Sequence, residues 1–278
     1  MDGTQADDGS RRGRDHYVPP VLTGAPSSSY DQLATYYDLI YADVKDDIPF
    51  YVGLAGETGG PVLELGCGSG RTLFPLAQAG FEVVGLDNSE AMLKKARERA
   101  ALEGSEGVVH LLQGEMTSFD LGRCFPLITV PFNTWLHLPH HGPQAAALGC
   151  IDQHLLSGGW FVMDLPAPAT IVDAQHDGTM VLEGIFSGRE PQERVLQFSS
   201  TQLDSKGQIL HVTWIYDLVG ADGDLKRTVV PMSLHYLFPR QAQGLLEGAG
   251  LKVKAMWGDY DRAPYTIDSG KLIILSEK

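Results

Sequence analysis

Cysteine is scarce in this chain. Cys67, Cys124 and Cys150 are three in 278 residues, and none stands in a C-x-x-C pair. An odd, scattered set builds neither a disulfide framework nor a thiolate metal cage, and it fits reduced thiols in a cytoplasmic protein. Cys67 falls inside a glycine-rich turn where any small residue suffices. Positive charge is also short: 21 Lys and Arg face 35 Asp and Glu, a formal charge of −14. A phosphate backbone needs a basic track, and the cluster Lys94, Lys95 and Arg97 reads as a single exposed helix face. Nucleic acid is therefore not an expected partner. No apolar run approaches the roughly 20 residues of a membrane span, and the polar N-terminus does not read as a signal peptide. No membrane partner is expected. The histidines at 137, 140 and 141 lack helical spacing and neighbouring carboxylates, so no metal site is expected either.

What the chain has is a regular alternation of apolar runs and amphipathic stretches. With 43% hydrophobic and 20% charged residues it has the balance of a soluble globular protein. It is long enough for one large domain or a domain carrying an insertion. Residues 1–28, rich in Asp, Gly, Ser, Arg and Pro, are expected to be a disordered tail. Helical patterns begin near residue 30 and resume over 46–54. The pattern then predicts strand 61–66, helix 71–79, strand 82–87, helix 89–102, strands 108–113 and 125–131, helix 143–156 and strand 159–164. Such alternation belongs to the α/β class, with a doubly wound, mostly parallel sheet and helices on both faces.

After Asp164 the period changes to two. Strands are expected at 180–187, 194–203, 209–219 and 227–237, with turns at 204–207 and 221–224. In the third, Leu210, Val212, Trp214, Tyr216 and Leu218 share one face, as in half-buried antiparallel sheet. A helix at 239–248 and strands at 251–258 and 271–276 return to the core. The expected organisation is a seven-stranded core over 29–165 and 238–278. An antiparallel β insertion over 166–237 either covers a ligand site or forms a homodimer surface.

The sharpest local signal lies at 62–87. Val62 to Leu65 is a short apolar run with the character of a strand buried on both faces. Gly66, Gly68 and Gly70 follow at alternate positions, where glycine lets a ligand approach the main chain. A second buried strand ends in Asp87, 17 positions after Gly70, and a carboxylate there accepts the ribose hydroxyls of an adenosine. Dinucleotide sites favour G-x-G-x-x-G. Here the spacing is G-x-G-x-G and Glu64 precedes it. A carboxylate in that place repels a pyrophosphate and attracts a cation.

The run E-L-G-C-G-S-G-R over 64–71 resembles the first motif of class I S-adenosylmethionine (SAM)-dependent methyltransferases. Asp87 to Leu93 resembles their acidic ribose-binding motif and the helix after it. Gly114, Glu115 and Met116 resemble the segment that holds the adenine, with Glu where the family usually has Asp. Residues 125–133 are similar to the fourth strand and its substrate-facing end, with Pro126 where Asp is common, and 156–161 to the turn before the fifth. Tyr30, Asp31, Ala34, Tyr37, Asp38 and Tyr41 resemble the N-terminal lid helix of a subset that methylates small molecules. N-methyltransferases of amino-sugar and antibiotic pathways belong to that subset. The resemblance runs from residue 30 to the end and includes 258–261.

The resemblance implies a Rossmann-like methyltransferase fold, SAM as cofactor and S-adenosylhomocysteine (SAH) as product. It also implies a small-molecule methyl acceptor, with nitrogen slightly preferred over oxygen. The implied cofactor site comprises Tyr30, Tyr37, Glu64, Gly66, Gly68, Gly70, Arg71, Asp87, Asn88, Met92, Glu115, Met116 and Phe132. Glu64 suits the ammonium and sulfonium of SAM. Arg71 either pairs with the cofactor carboxylate or stands solvated at a helix start. Two other readings stand beside this one. The first is a SAM-binding protein that does not methylate. The second is an NAD-dependent oxidoreductase, disfavoured by Glu64 and the glycine spacing.

Methyl transfer from a sulfonium is a displacement at carbon that rests mainly on positioning. An amine needs only to be neutral when it attacks, whereas a hydroxyl usually needs a base or a metal. His137, just after the fourth strand, is the first candidate base because histidine titrates near neutral pH; the alternative is a residue that only hydrogen-bonds its loop. Tyr41 either orients an amine or anchors the lid. His235, Tyr236 and Arg240 are placed on the substrate side from the position of the insertion alone.

Overall fold

The computed structural model of the chain describes residues 29–41, 43–174 and 176–278, and the tail expected over 1–28 lies outside them. Two helices come first, α1 (Ser29–Tyr41) and α2 (Ile48–Thr58). The core continues with β1 (Val62–Leu65), α3 (Leu73–Gln78), β2 (Val83–Asp87), α4 (Glu90–Glu103), β3 (Val109–Gln113), β4 (Phe125–Val130), α5 (Gly142–His154) and β5 (Leu155–Pro166). A short α6 (Pro168–Val172) leads to four long strands, β6 (Asp177–Ser187), β7 (Arg194–Asp204), β8 (Ile209–Val219) and β9 (Leu225–His235). The chain closes with α7 (Pro239–Gly248), β10 (Lys252–Trp257) and β11 (Lys271–Glu277).

The core sheet has seven strands in the order β10-β11-β5-β4-β1-β2-β3. Neighbours from β5 to β3 are parallel, and β11 runs antiparallel to both β5 and β10. The α/β class and the seven-stranded, mostly parallel sheet expected from the alternation are both present. Alternate residues of each strand feed separate hydrophobic clusters: Leu63 and Leu65 of β1 pack with Phe161 and Trp135, while Val62 packs with Phe74 and Leu127. The strand order turns back between β1 and β4, so their carboxyl ends open a crevice.

The start of β5 differs from expectation. Helix α5 stops at His154, and Leu155 is already extended and paired with Phe125 of β4. Cross-strand pairing claims the residues that a helical pattern would extend to 156. Also unforeseen are α6 and a 3₁₀ turn over Thr134–His137.

Strands β6 to β9 form a separate antiparallel sheet in sequential order. Its inner face is not left to solvent. Val195, Tyr216 and Val230 pack with Leu33 and Tyr36 of α1, and Tyr36 stacks on Tyr216 with centroids 4.8 Å apart. The other side of α1 is tied to the core by two acids. Asp31 accepts from the Ser89 hydroxyl (2.5 Å) and the Ala91 amide (3.3 Å) at the start of α4. Asp38 accepts from the Ser69 hydroxyl and from Lys95, both at 2.6 Å. Helix α1 is thus a slat between the second sheet and the crevice. No helix among the described residues is long and apolar enough to cross a membrane.

Candidate active site

The turn after β1 is built around backbone that only glycine tolerates. Gly66 has φ of +70°, and a Cβ there would lie 2.2 Å from Thr134 Cγ2. Beneath the turn, Glu64 is buried. Its Oε1 accepts from the Thr72 hydroxyl at 2.8 Å, while Oε2 is buried with no hydrogen-bond partner. Burial raises its pKa to about 8, against the Thr72 bond and the Arg71 charge. At the end of β2, Asp87 accepts from the Gly68 amide (2.7 Å) and the Ser89 amide (2.8 Å). Burial raises this carboxyl as well, and those two amides oppose the shift. Ser89 in turn caps α4, accepting from the Met92 amide.

These ends enclose a cleft of about 280 Å³. Gly66, Gly68, Asp87 and Asn88 form one wall, Glu115 and Met116 another, and Tyr30, Tyr37, Phe132 and His137 the roof. Met92 and Leu86 supply apolar floor. The lining fits an adenosine, with a carboxylate at the ribose position and thioether and aliphatic contacts for a base, and behind it the buried, unpartnered Glu64 oxygen adds an acceptor that suits a cation. When bound there, SAM supplies an electrophilic methyl carbon on its sulfonium.

A second cavity of about 120 Å³ lies on the other side of the roof, between α1 and the inner face of β8 and β9. Tyr41, Asn133, Trp214, Tyr216, Met232 and Leu234 are among its lining residues. Tyr30, Tyr37, Phe132 and His137 line both spaces. The Tyr30 hydroxyl and His137 Nε2 are 2.8 Å apart. Burial, with His235 adding to it, lowers His137 to about 4, so the imidazole is neutral at pH 7. Burial raises the Tyr41 phenol, opposed by a hydrogen bond with Gln197, so Tyr41 too is uncharged.

The dividing wall is held under strain. Phe132 and Asn133 have φ of 54° and 63°, left-handed values unusual for residues with side chains. Asp164 of β5 pins them: its carboxylate accepts from the Phe132 amide (3.3 Å) and its carbonyl from the Asn133 amide (3.2 Å). That carboxylate is buried and also accepts from Tyr260 (2.7 Å) and Tyr51 (3.3 Å). Arg71 lies 4.4 Å over the Phe132 ring, and Tyr41 meets the same ring edge-on at 5.3 Å.

Eleven of the residues expected at the site line the cleft itself. They are Tyr30, Tyr37, Gly66, Gly68, Asp87, Asn88, Met92, Glu115, Met116, Phe132 and His137. Tyr41 lies in the second cavity. Glu64, Gly70 and Arg71 stand behind the cleft. Gly70 packs against Phe74, and the Arg71 guanidinium makes two hydrogen bonds to Asp47, at 2.6 and 2.5 Å. His235 sits against the ring of His140, at 4.9 Å, rather than in either lining. Asn133 ends the stretch that resembles the substrate-facing end of the fourth strand, whereas Ser29, Leu33, Leu86, Thr134 and the inner-face residues of the second sheet are lining residues that sequence reasoning did not single out. The alternation at Trp214 and Tyr216 marked a buried face without saying what it faced. Among the described residues no group of three or more His, Cys, Asp or Glu side chains is arranged to hold a metal.

Comparison with known proteins agrees with this geometry. Residues 62–159 match the family described as Methyltransferase domain. The dTDP-3-amino-3,6-dideoxy-alpha-D-glucopyranose N,N-dimethyltransferase of Streptomyces fradiae is 31% identical over 184 residues, covering 60% of this chain and 70% of that one. The cypemycin N-terminal methyltransferase of a Streptomyces species is 26% identical over 90% of this chain and 98% of its own. The solved structure of the CcbJ methyltransferase from Streptomyces caelestis superposes with a TM-score of 0.77 at 26% identity, covering 91% of this chain and 98% of that one. A glycine turn over a buried acid, a ribose-type carboxylate and these relatives converge, and the chain belongs to the SAM-dependent methyltransferases.

Proposed function

We propose that this enzyme transfers the SAM methyl group to a nitrogen of a small molecule seated in the cavity between α1 and the second sheet. The observation that carries the reading is the shared wall of Tyr30, Tyr37, Phe132 and His137. It sets two ligand spaces side by side, which a transfer by approximation requires. The choice of nitrogen follows from what the second cavity offers. A hydroxyl acceptor needs a base. No carboxylate lines this cavity, and an imidazole held near 4 is a poor one. An amine that enters unprotonated needs none. His137 and Tyr30 then act as a neutral polar pair that closes the wall, and Tyr41 orients the amine. The N-methyltransferase activities of both curated relatives support the same choice. The second sheet serves as the substrate cover, and the three free thiols suit the cytoplasm.

The test is SAH release with SAM and matched panels of small amines and phenols. Turnover of amines with phenols inert is the expected result. Turnover of phenols alone, lost in His137→Ala, would make His137 a base and oxygen the acceptor.

A further inference from the structure

We infer that the acceptor is a secondary amine carried on an apolar, uncharged, ring-bearing body, and that it docks by donating its N–H to Asn133 Oδ1. This rests on the nitrogen-methylating reading above and narrows it. The starting point is the chemistry of the cavity lining. Tyr41, Phe132, Trp214 and Tyr216 present rings, and Met232 and Leu234 present aliphatic surface. No Lys, Arg, Asp or Glu is among the lining residues. A phosphate or carboxylate on the acceptor would need Arg, Lys or a cluster of amides to replace its water. Beyond Tyr37 and Tyr41 a neighbouring cavity is lined by Lys45, Arg71, Lys95 and Arg99, and three of these are already paired: Arg71 with Asp47, Lys95 with Asp38 and Arg99 with Glu103. A nucleotide-linked amine therefore finds nothing in the acceptor cavity to hold its phosphates, in contrast to the nucleotide-sugar substrate named for the Streptomyces fradiae relative.

One buried polar atom in the lining lacks a partner. Asn133 Oδ1 is buried and accepts no hydrogen bond. Leaving such an atom unpaired is costly. The side chain has little freedom to turn away, because its left-handed backbone is pinned by Asp164. An unprotonated secondary amine offers what this site is missing: one N–H for Oδ1 and one lone pair left over. With the N–H on Asn133, the lone pair is free to face the neighbouring cleft. The lone pair forms the new nitrogen–carbon bond as the carbon–sulfur bond breaks, its electron pair passing to sulfur to give SAH. The resulting ammonium sheds its proton to water, and the surrounding ring faces stabilise the cation until it leaves.

The experiment uses the full chain with SAM and two probes, N-methylbenzylamine and the dTDP-linked 3-amino sugar. SAH release is followed from pH 7 to pH 9, and SAH affinity is measured by calorimetry. The expected result is methylation of N-methylbenzylamine, faster as pH rises and the amine deprotonates, with the nucleotide sugar at least a hundredfold slower. Asn133→Gly, which accepts the left-handed backbone, is expected to raise the amine KM about tenfold with SAH affinity unchanged. Asn133→Asp, which keeps an acceptor oxygen in place, is expected to restore KM to within threefold. Preference for the nucleotide sugar overturns the inference, and so does an Asn133→Gly enzyme with an unchanged KM. Methylation of neither probe by protein that binds SAH also overturns it, while nitrogen transfer itself stays open to the wider amine panel. Absence of SAH binding overturns both.

Discussion

Asp87 and Glu64 are both buried acids at strand ends, and they act on a cofactor in different ways. Asp87 is already held by two amides and keeps lone pairs free for hydroxyl donors. Asp87→Ala is expected to weaken SAH binding by about 1–3 kcal/mol, the scale of charge-assisted hydrogen bonds, in a calorimetric titration. Glu64 has one satisfied oxygen and one bare one. Its ordinary value of 4.5 rises to about 8 in the fold. A folded-state pKa above the unfolded one gives stability that is whole below pH 4.5 and is lost as pH climbs through 8. Thermal unfolding of the cofactor-free protein is therefore expected to shift to lower temperature across that window. Glu64→Gln should flatten the dependence. An ammonium brought against Oε2 reverses the balance and drives the proton off. Binding of SAH at pH 7 is thus expected to release a proton, seen as a calorimetric enthalpy that varies with the ionisation enthalpy of the buffer. The Gln variant should show no such variation.

At the scale of elements, α1 behaves as a lid latched by acids. Asp31 latches it to the start of α4 and Asp38 to the glycine turn and Lys95. A hydrogen bond contributes about 1 kcal/mol net and a half-exposed ion pair no more, so the paired change Asp31→Ala, Asp38→Ala is expected to speed SAH release roughly tenfold, measured by stopped-flow displacement. The lid was legible in the chain through the resemblance of Tyr30, Asp31, Ala34, Tyr37, Asp38 and Tyr41 to a known lid helix, a pattern of residues at single positions. The glycine turn was legible for a similar reason, since left-handed backbone and a tight approach leave a mark at single positions. The second cavity left no such mark. The Tyr30–His137 contact spans 107 positions, and Arg71 is taken up by Asp47, 24 positions before it. The strain at Phe132 is imposed from β5 through Asp164, against the preference of that residue, while Asn133 tolerates the left-handed backbone. Sites made by long-range packing onto residues of ordinary type are invisible to spacing arguments.

For the whole molecule, the position of α1 makes cofactor and acceptor interdependent. One of its faces roofs the SAM cleft, while the other packs on the second sheet through Leu33 and Tyr36. Any ligand that steadies α1 from the cleft also steadies the inner face of β8 and β9, and linkage requires the reverse to hold. The joint is concentrated at Tyr36, which stacks on Tyr216 and shares a 3.0 Å hydrogen bond with Thr228 of β9. Hydrogen exchange reads this directly. SAH is expected to raise amide protection in three places: the glycine turn, α1, and the inner strands β8 and β9. Tyr36→Leu keeps apolar volume in the joint but removes the ring pair, worth about 0.5–1.5 kcal/mol beyond its buried area, and the hydroxyl. In that variant the protection gained in the turn should persist while the gain in β8 and β9 disappears, and SAH should no longer tighten the binding of an amine acceptor. Equal protection of β8 and β9 in both proteins would mean that the second sheet is a passive wall and that the order of ligand binding is set elsewhere.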